Sequence, residues 1–137
     1  MFKFSKSQLQ KIAGSSDPML RVSISNIVKV EHAYVVKDLP PELLATMIDT
    51  GMKSARGYGL SKPTDVAGFV MLQFEFGPEF HRHPAINALL TDPTIAVDSR
   101  LTAVVERTPE SVWREVEAVL HKQVWFPELR EPEPEAP

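Results

Sequence analysis

One stretch, Ser61 to Phe80, restricts the fold more than any other part of the chain. Its middle, Val66-Ala67-Gly68-Phe69-Val70-Met71-Leu72-Gln73-Phe74-Glu75-Phe76, is apolar at nearly every position. The alternation expected of a half-buried strand fails at Phe69-Val70-Met71-Leu72. A helical stripe fits Val66, Phe69, Val70 and Phe74, and a second stripe of Ala67, Met71, Leu72 and Phe76 covers the adjoining arc. A helix that is hydrophobic almost all round belongs in a core, with other helices on several sides. It is too short and too interrupted to span a bilayer. Both ends are marked. Ser61 can cap the first turn, Pro63 needs no N–H there, and Asp65 suits the positive end of the helix dipole. Gly77 and Pro78 end the helix. Its four phenylalanines, Phe69, Phe74, Phe76 and Phe80, can bury about 600–1000 Å². At ~25 cal/mol/Å² that is about 15–25 kcal/mol gross, before entropy.

The remaining sequence surrounds this segment with shorter helices. With 137 residues the chain suits one domain over residues 1–126. Residues 5–13 form a short helix with Leu9 and Ile12 inward, broken by Gly14-Ser15-Ser16-Asp17-Pro18. Residues 19–36 read two ways. Leu20, Val22 and Ile24 alternate like a strand, whereas Leu20, Ile24, Ile27, Val28 and Tyr34 sit at helical spacing. The length without an internal turn signal leans to helix. From Pro41, the residues Leu44, Met47, Ile48, Gly51, Met52 and Ala55 share one helical face, which Arg56-Gly57-Tyr58-Gly59 stops. After the central helix come a short helix carrying Ile86, Leu89 and Leu90 and another, capped by Asp98 or Ser99, carrying Leu101, Val104 and Val105. Thr108-Pro109-Glu110 opens the last, with Val112, Trp113, Val116, Val119 and Leu120 as its stripe. The expected architecture is a mostly α, compact bundle of about five to six helices around a buried central one. Residues 127–137, PELREPEPEAP, carry too few apolar groups to order themselves and read as a disordered acidic, Pro-rich tail.

Composition narrows function mainly by exclusion. A net charge of −3 argues against nucleic acid as the main partner. The absence of cysteine removes disulfides, thiolate metal sites and a cysteine nucleophile, and suits a cytoplasmic protein. The N-terminus, MFKFSKSQLQ, has no secretory apolar run. Nucleophile elbows, phosphate-binding glycine loops and His-Glu-x-x-His are missing from the sequence. His81-x-His83 beside Glu79 has metal-like spacing, yet Zn²⁺ or Ni²⁺ needs a third ligand that the sequence does not offer. These histidines and Arg82 read as an exposed polar loop that, if it acts, serves recognition rather than catalysis. Trp125 and Phe126, beyond the last helix, either fold back onto the core or form an apolar patch for a partner. Tyr58, on its glycine turn, has the same two readings. His32 and His121 read as structural or surface groups.

The stretch ARGYGLSKPTDVAGFVMLQFEFGPEFHRHPAINALLTDP carries a resemblance. Ala55, Arg56, Tyr58, Gly59, Asp65, Val66, Phe69, Phe76, Gly77, Pro78, Phe80 and Pro84 agree in spacing, as do Leu89-Leu90-x-Asp92-Pro93 and Arg100-Leu101. In these residues the chain resembles small helical accessory proteins encoded beside type VI secretion spike genes (PAAR and VgrG) and their toxic effectors. It departs from that pattern after Gly-Pro-x-Phe, where His81 and His83 replace acidic residues. The resemblance implies an accessory protein that works by contact: an adaptor or co-chaperone for a type VI effector, its chaperone or its spike protein. An immunity protein that neutralises a cognate toxin is the alternative. A metal-dependent enzyme using His81 and His83 ranks last. The expectation is no enzyme, no catalytic residue and no cofactor, with Tyr58, His81, Arg82, His83, Trp125 and Phe126 as partner-binding residues. Neither a nucleic acid nor a membrane is expected as partner.

Overall fold

The computed structural model describes residues 3–120, and within them the chain is all α. The elements run α1 (Lys6–Ala13), α2 (Asp17–Glu31), α3 (Ala33–Val36), α4 (Pro41–Gly57), α5 (Pro63–Phe76), a 3₁₀ turn (Phe80–Arg82), α6 (Pro84–Leu90), α7 (Val97–Arg107) and α8 (Glu110–Leu120). None of these helices is long and apolar enough to cross a membrane. The tail at 127–137, together with His121, Trp125 and Phe126, lies outside the described residues.

Helix α5 is the centre, because it has no polar face to turn to water. Val66, Phe69 and Val70 are wholly buried, and Met71, Leu72, Phe74 and Phe76 nearly so. Helices α1, α2, α4, α7 and α8 all pack against it. One continuous core joins Ile12 of α1 to Val116 of α8. Its aromatic part is dense: Phe69 lies 5.1 Å from Phe80, and Phe76 lies 4.5 Å from Trp113, measured between ring centroids. Rings at such separations gain attraction beyond the area they bury.

The segment whose spacing suited either strand or helix is helical, with one break. Leu20, Ile24, Ile27 and Val28 are buried on α2, as the helical spacing requires. At His32 the backbone leaves the helical region (φ −127°, ψ 36°) and α3 starts afresh. The His32 ring is buried, its centroid 6.4 Å from that of Phe74. Pro18, grouped by the sequence with the preceding break, sits in the first turn of α2, where its missing N–H costs nothing.

Three caps differ from expectation. Helix α8 starts at Glu110, and the buried Oγ1 of Thr108, expected to cap it, has no hydrogen-bond partner among the described residues. Helix α5 begins after Lys62 rather than Ser61 and has no side-chain cap. Pro63 in its first turn removes one of the donors that a cap would serve. Helix α7 begins at Val97, ahead of Asp98 and Ser99, and its N-cap is Ala96. The C-terminal glycines behave as glycines should. Gly77 has φ 107° and Gly59 has φ 86°, both disfavoured for residues with a Cβ.

Candidate interaction site

The end of α4 fixes Tyr58. The Leu60 amide donates to the Ala55 carbonyl at 3.2 Å and the Gly59 amide to Arg56 at 2.9 Å. This pair of bonds is a Schellman closure, with Leu60 supplying the apolar contact that usually accompanies it. Tyr58 is the last residue before the turn, so its ring is directed from a rigid point. The ring packs against Phe69 at 5.9 Å and edge-on to His81 at 5.4 Å.

A closed polar trio results. The Asn87 amide donates to the Tyr58 hydroxyl at 3.1 Å, and that hydroxyl lies 2.8 Å from Nδ1 of His81. Because an amide nitrogen only donates, the hydroxyl accepts from Asn87, and it is bonded to His81 as well. Burial holds the His81 imidazole below its ordinary pKa. The Pro78 carbonyl opposes this, Arg82 reinforces it, and Glu79 opposes it weakly. A neutral ring fits that environment. The trio ties α4, the 3₁₀ turn and α6 to the Phe69 side of the core.

His83 turns elsewhere. Its Nδ1 accepts from the Ala85 amide at 3.1 Å, capping α6, and its Nε2 meets Glu115 Oε2 at 2.7 Å. Arg82 is exposed and lies 3.4 Å from Glu79. The structure therefore brings Tyr58 and His81 together and separates them in role from Arg82 and His83. Among the described residues no three His, Asp or Glu side chains converge to hold a metal ion. Tyr58, His81 and His83 thus join elements through these bonds, while Arg82 stays exposed.

The open concavity lies on another face. Helices α1, α5 and α7 enclose a groove of about 240 Å³, lined by Leu9, Gly68, Met71, Leu72, Leu101 and Val105 among others. Phe4 also lines it, and Lys3 and Glu106 are its charged members. Gly68 keeps its floor low, since a Cβ there would stand 2.9 Å from Cδ2 of Leu101. Leu9 and Val105 were expected to face inward, yet they are 40% and 38% exposed, as walls of this groove. The sequence signal was present but ambiguous: both residues sit on the apolar stripe of their helix, at its edge.

Searches against protein-family models, curated proteins and solved structures returned no match.

Proposed function

We propose that this chain is a non-enzymatic interaction module, an adaptor or co-chaperone that helps a type VI secretion effector reach its spike protein in the cytoplasm. The observation that carries the reading is the open apolar groove between α1, α5 and α7. A groove of this shape takes the apolar face of a partner helix, whose anchors would lie between Leu9 and Val105. It is lined almost entirely by hydrocarbon, which favours contact over chemistry. The resemblance around residues 55–93 names the kind of partner.

Co-expression with the neighbouring effector and spike proteins tests the reading. An adaptor forms a complex with one of them, and Leu9→Glu with Val105→Glu abolishes it without unfolding the chain, since both positions are half-open. Loss of effector secretion, without any protection of the producing cell, completes the expected result. Protection from the toxin would instead assign the immunity role. Failure to bind any of these proteins would overturn both.

A further inference from the structure

A second surface lies along α2. Met19, Val22 and Val30 are 58%, 59% and 76% exposed, and Tyr34 of α3 is 77% exposed. Spacings of three and eight residues place Met19, Val22 and Val30 on one side of α2, with exposed Asn26 between Val22 and Val30, and Tyr34 lies beyond the break at His32. These exposed apolar side chains form a ridge along α2, interrupted by Asn26.

Two grooves flank the Met19–Val22 end of this ridge and share Val22. One, of about 320 Å³, runs between the end of α1 and α2 and has Lys11 as its charged member. The other, of about 260 Å³, runs between α2 and α4 and has Arg21 and Lys29. Arg21 uses its Nε to bind Asp49, leaving the ends of its guanidinium for a second acceptor. No carboxylate lines either groove, although the whole chain carries a net charge of −3. Lys11 and Lys29 thus edge the Met19–Val22 end of the ridge on its two sides, while Arg21 is paired with Asp49 and exposed Glu31 adjoins Val30.

We propose that the α2 face binds an amphipathic helix of a partner protein, with its apolar stripe on Met19, Val22 and Val30 and its flanking carboxylates toward Lys11 and Lys29. Apolar burial supplies the affinity, and the matched charges set orientation and exclude basic partners. This surface is independent of the α1/α5/α7 groove, so an adaptor would have two places to hold two proteins.

The test uses two synthetic helical peptides with leucine on one face, one flanked by glutamate and the other by lysine, measured against the full chain by fluorescence anisotropy. The glutamate peptide should bind at least tenfold more tightly than its lysine counterpart, and this preference should shrink at high salt. Lys11→Glu with Lys29→Glu should reverse the preference, and Val22→Glu with Val30→Glu should abolish binding. All four positions are exposed, so circular dichroism and melting temperature should stay near the parent values. All peptide measurements are made in the Leu9→Glu, Val105→Glu background, where the α1/α5/α7 groove is closed to a helix, so binding reports the α2 face alone and its failure is distinguishable from failure of the groove-based reading. Equal affinity for both peptides, or binding that survives the Val22 and Val30 substitutions, would overturn the proposal. A dimer that Val22→Glu dissolves would give the face to a second copy of the chain and overturn it too, as would binding of anionic lipid vesicles through the same residues.

Discussion

Gly51 on α4 lies directly over Gln73 on α5, so close that a Cβ at Gly51 would overlap the Gln73 Oε1. The same Cβ would stand 3.1 Å from Cγ2 of Val70. Gln73 is buried and its Nε2 donates to the Pro78 carbonyl at 3.0 Å, so the side chain is tethered at its other end. One amide thus serves as helix spacer and as anchor for the turn after α5.

Gly51→Ala should destabilise the protein. Alanine gains roughly 0.5–1 kcal/mol over glycine inside a helix. Overpacking a filled interface costs about 1–3 kcal/mol. The cost should win, and Gln73→Ala should relieve part of it, so the double variant will be more stable than the sum of the singles predicts. Urea denaturation of the four proteins checks this. A Gly51→Ala protein more stable than its parent would show that the helices have room there.

Removal of the Tyr58 hydroxyl should cost about 1–3 kcal/mol, because Asn87 and His81 both lose their partner in a half-buried place. Tyr58→Phe keeps the ring against Phe69, so the loss isolates the polar trio from the packing. Thermal unfolding at pH 7 measures it, and an unchanged midpoint would mean that water replaces the trio without penalty.

His81 should make the protein acid-sensitive. Burial lowers its folded pKa below the ordinary value of 6.5, so the unfolded chain takes the proton first as pH falls. The stability contributed by the neutral ring is complete above about pH 6.5 and is lost as pH drops below it. His32, also lowered by burial despite nearby Glu75 and Glu31, acts in the same direction. His81→Gln should reduce the loss of stability between pH 7 and 5, and His81→Gln with His32→Gln should reduce it further. An unaltered pH slope in the double variant would contradict this assignment.

Asp65 should act in the opposite sense. Its Oδ2 is buried without a hydrogen-bond partner in the first turn of α5. Desolvation raises its pKa above 3.8, Lys62 counteracts this, and Asp98 adds to it. The folded state therefore holds the proton at a pH where the unfolded chain has released it, and stability falls as pH rises through that window. Asp65→Asn should gain stability relative to its parent as pH is raised from about 4 to 7. Denaturant midpoints across that range provide the check, and a constant difference would show that burial does not govern this carboxyl.

Much of the architecture was legible before any packing was known. The six residues assigned to the inner face of α4, from Leu44 to Ala55, are all buried there. The all-round apolar α5 is the buried centre, and Gly59 and Gly77 take the positive φ that their positions required. The same reasoning put Leu9 inside, whereas the structure leaves it 40% exposed, and Tyr34 and Val105, grouped with buried residues by helical spacing, are exposed too. It left α2 between helix and strand because β-branched residues suit both a buried helix face and a strand.

Helix identity, caps and inward arcs follow from neighbours within four residues in the chain, and a linear sequence displays those directly. The Tyr58–His81 bond joins residues 23 apart in sequence. Gln73 meets Gly51 across two helices, and the groove depends on where α1 and α7 come to rest on α5. Such contacts are fixed by side-chain volumes settling against one another, so only the packed molecule could decide which polar groups joined elements and which apolar ones stayed exposed.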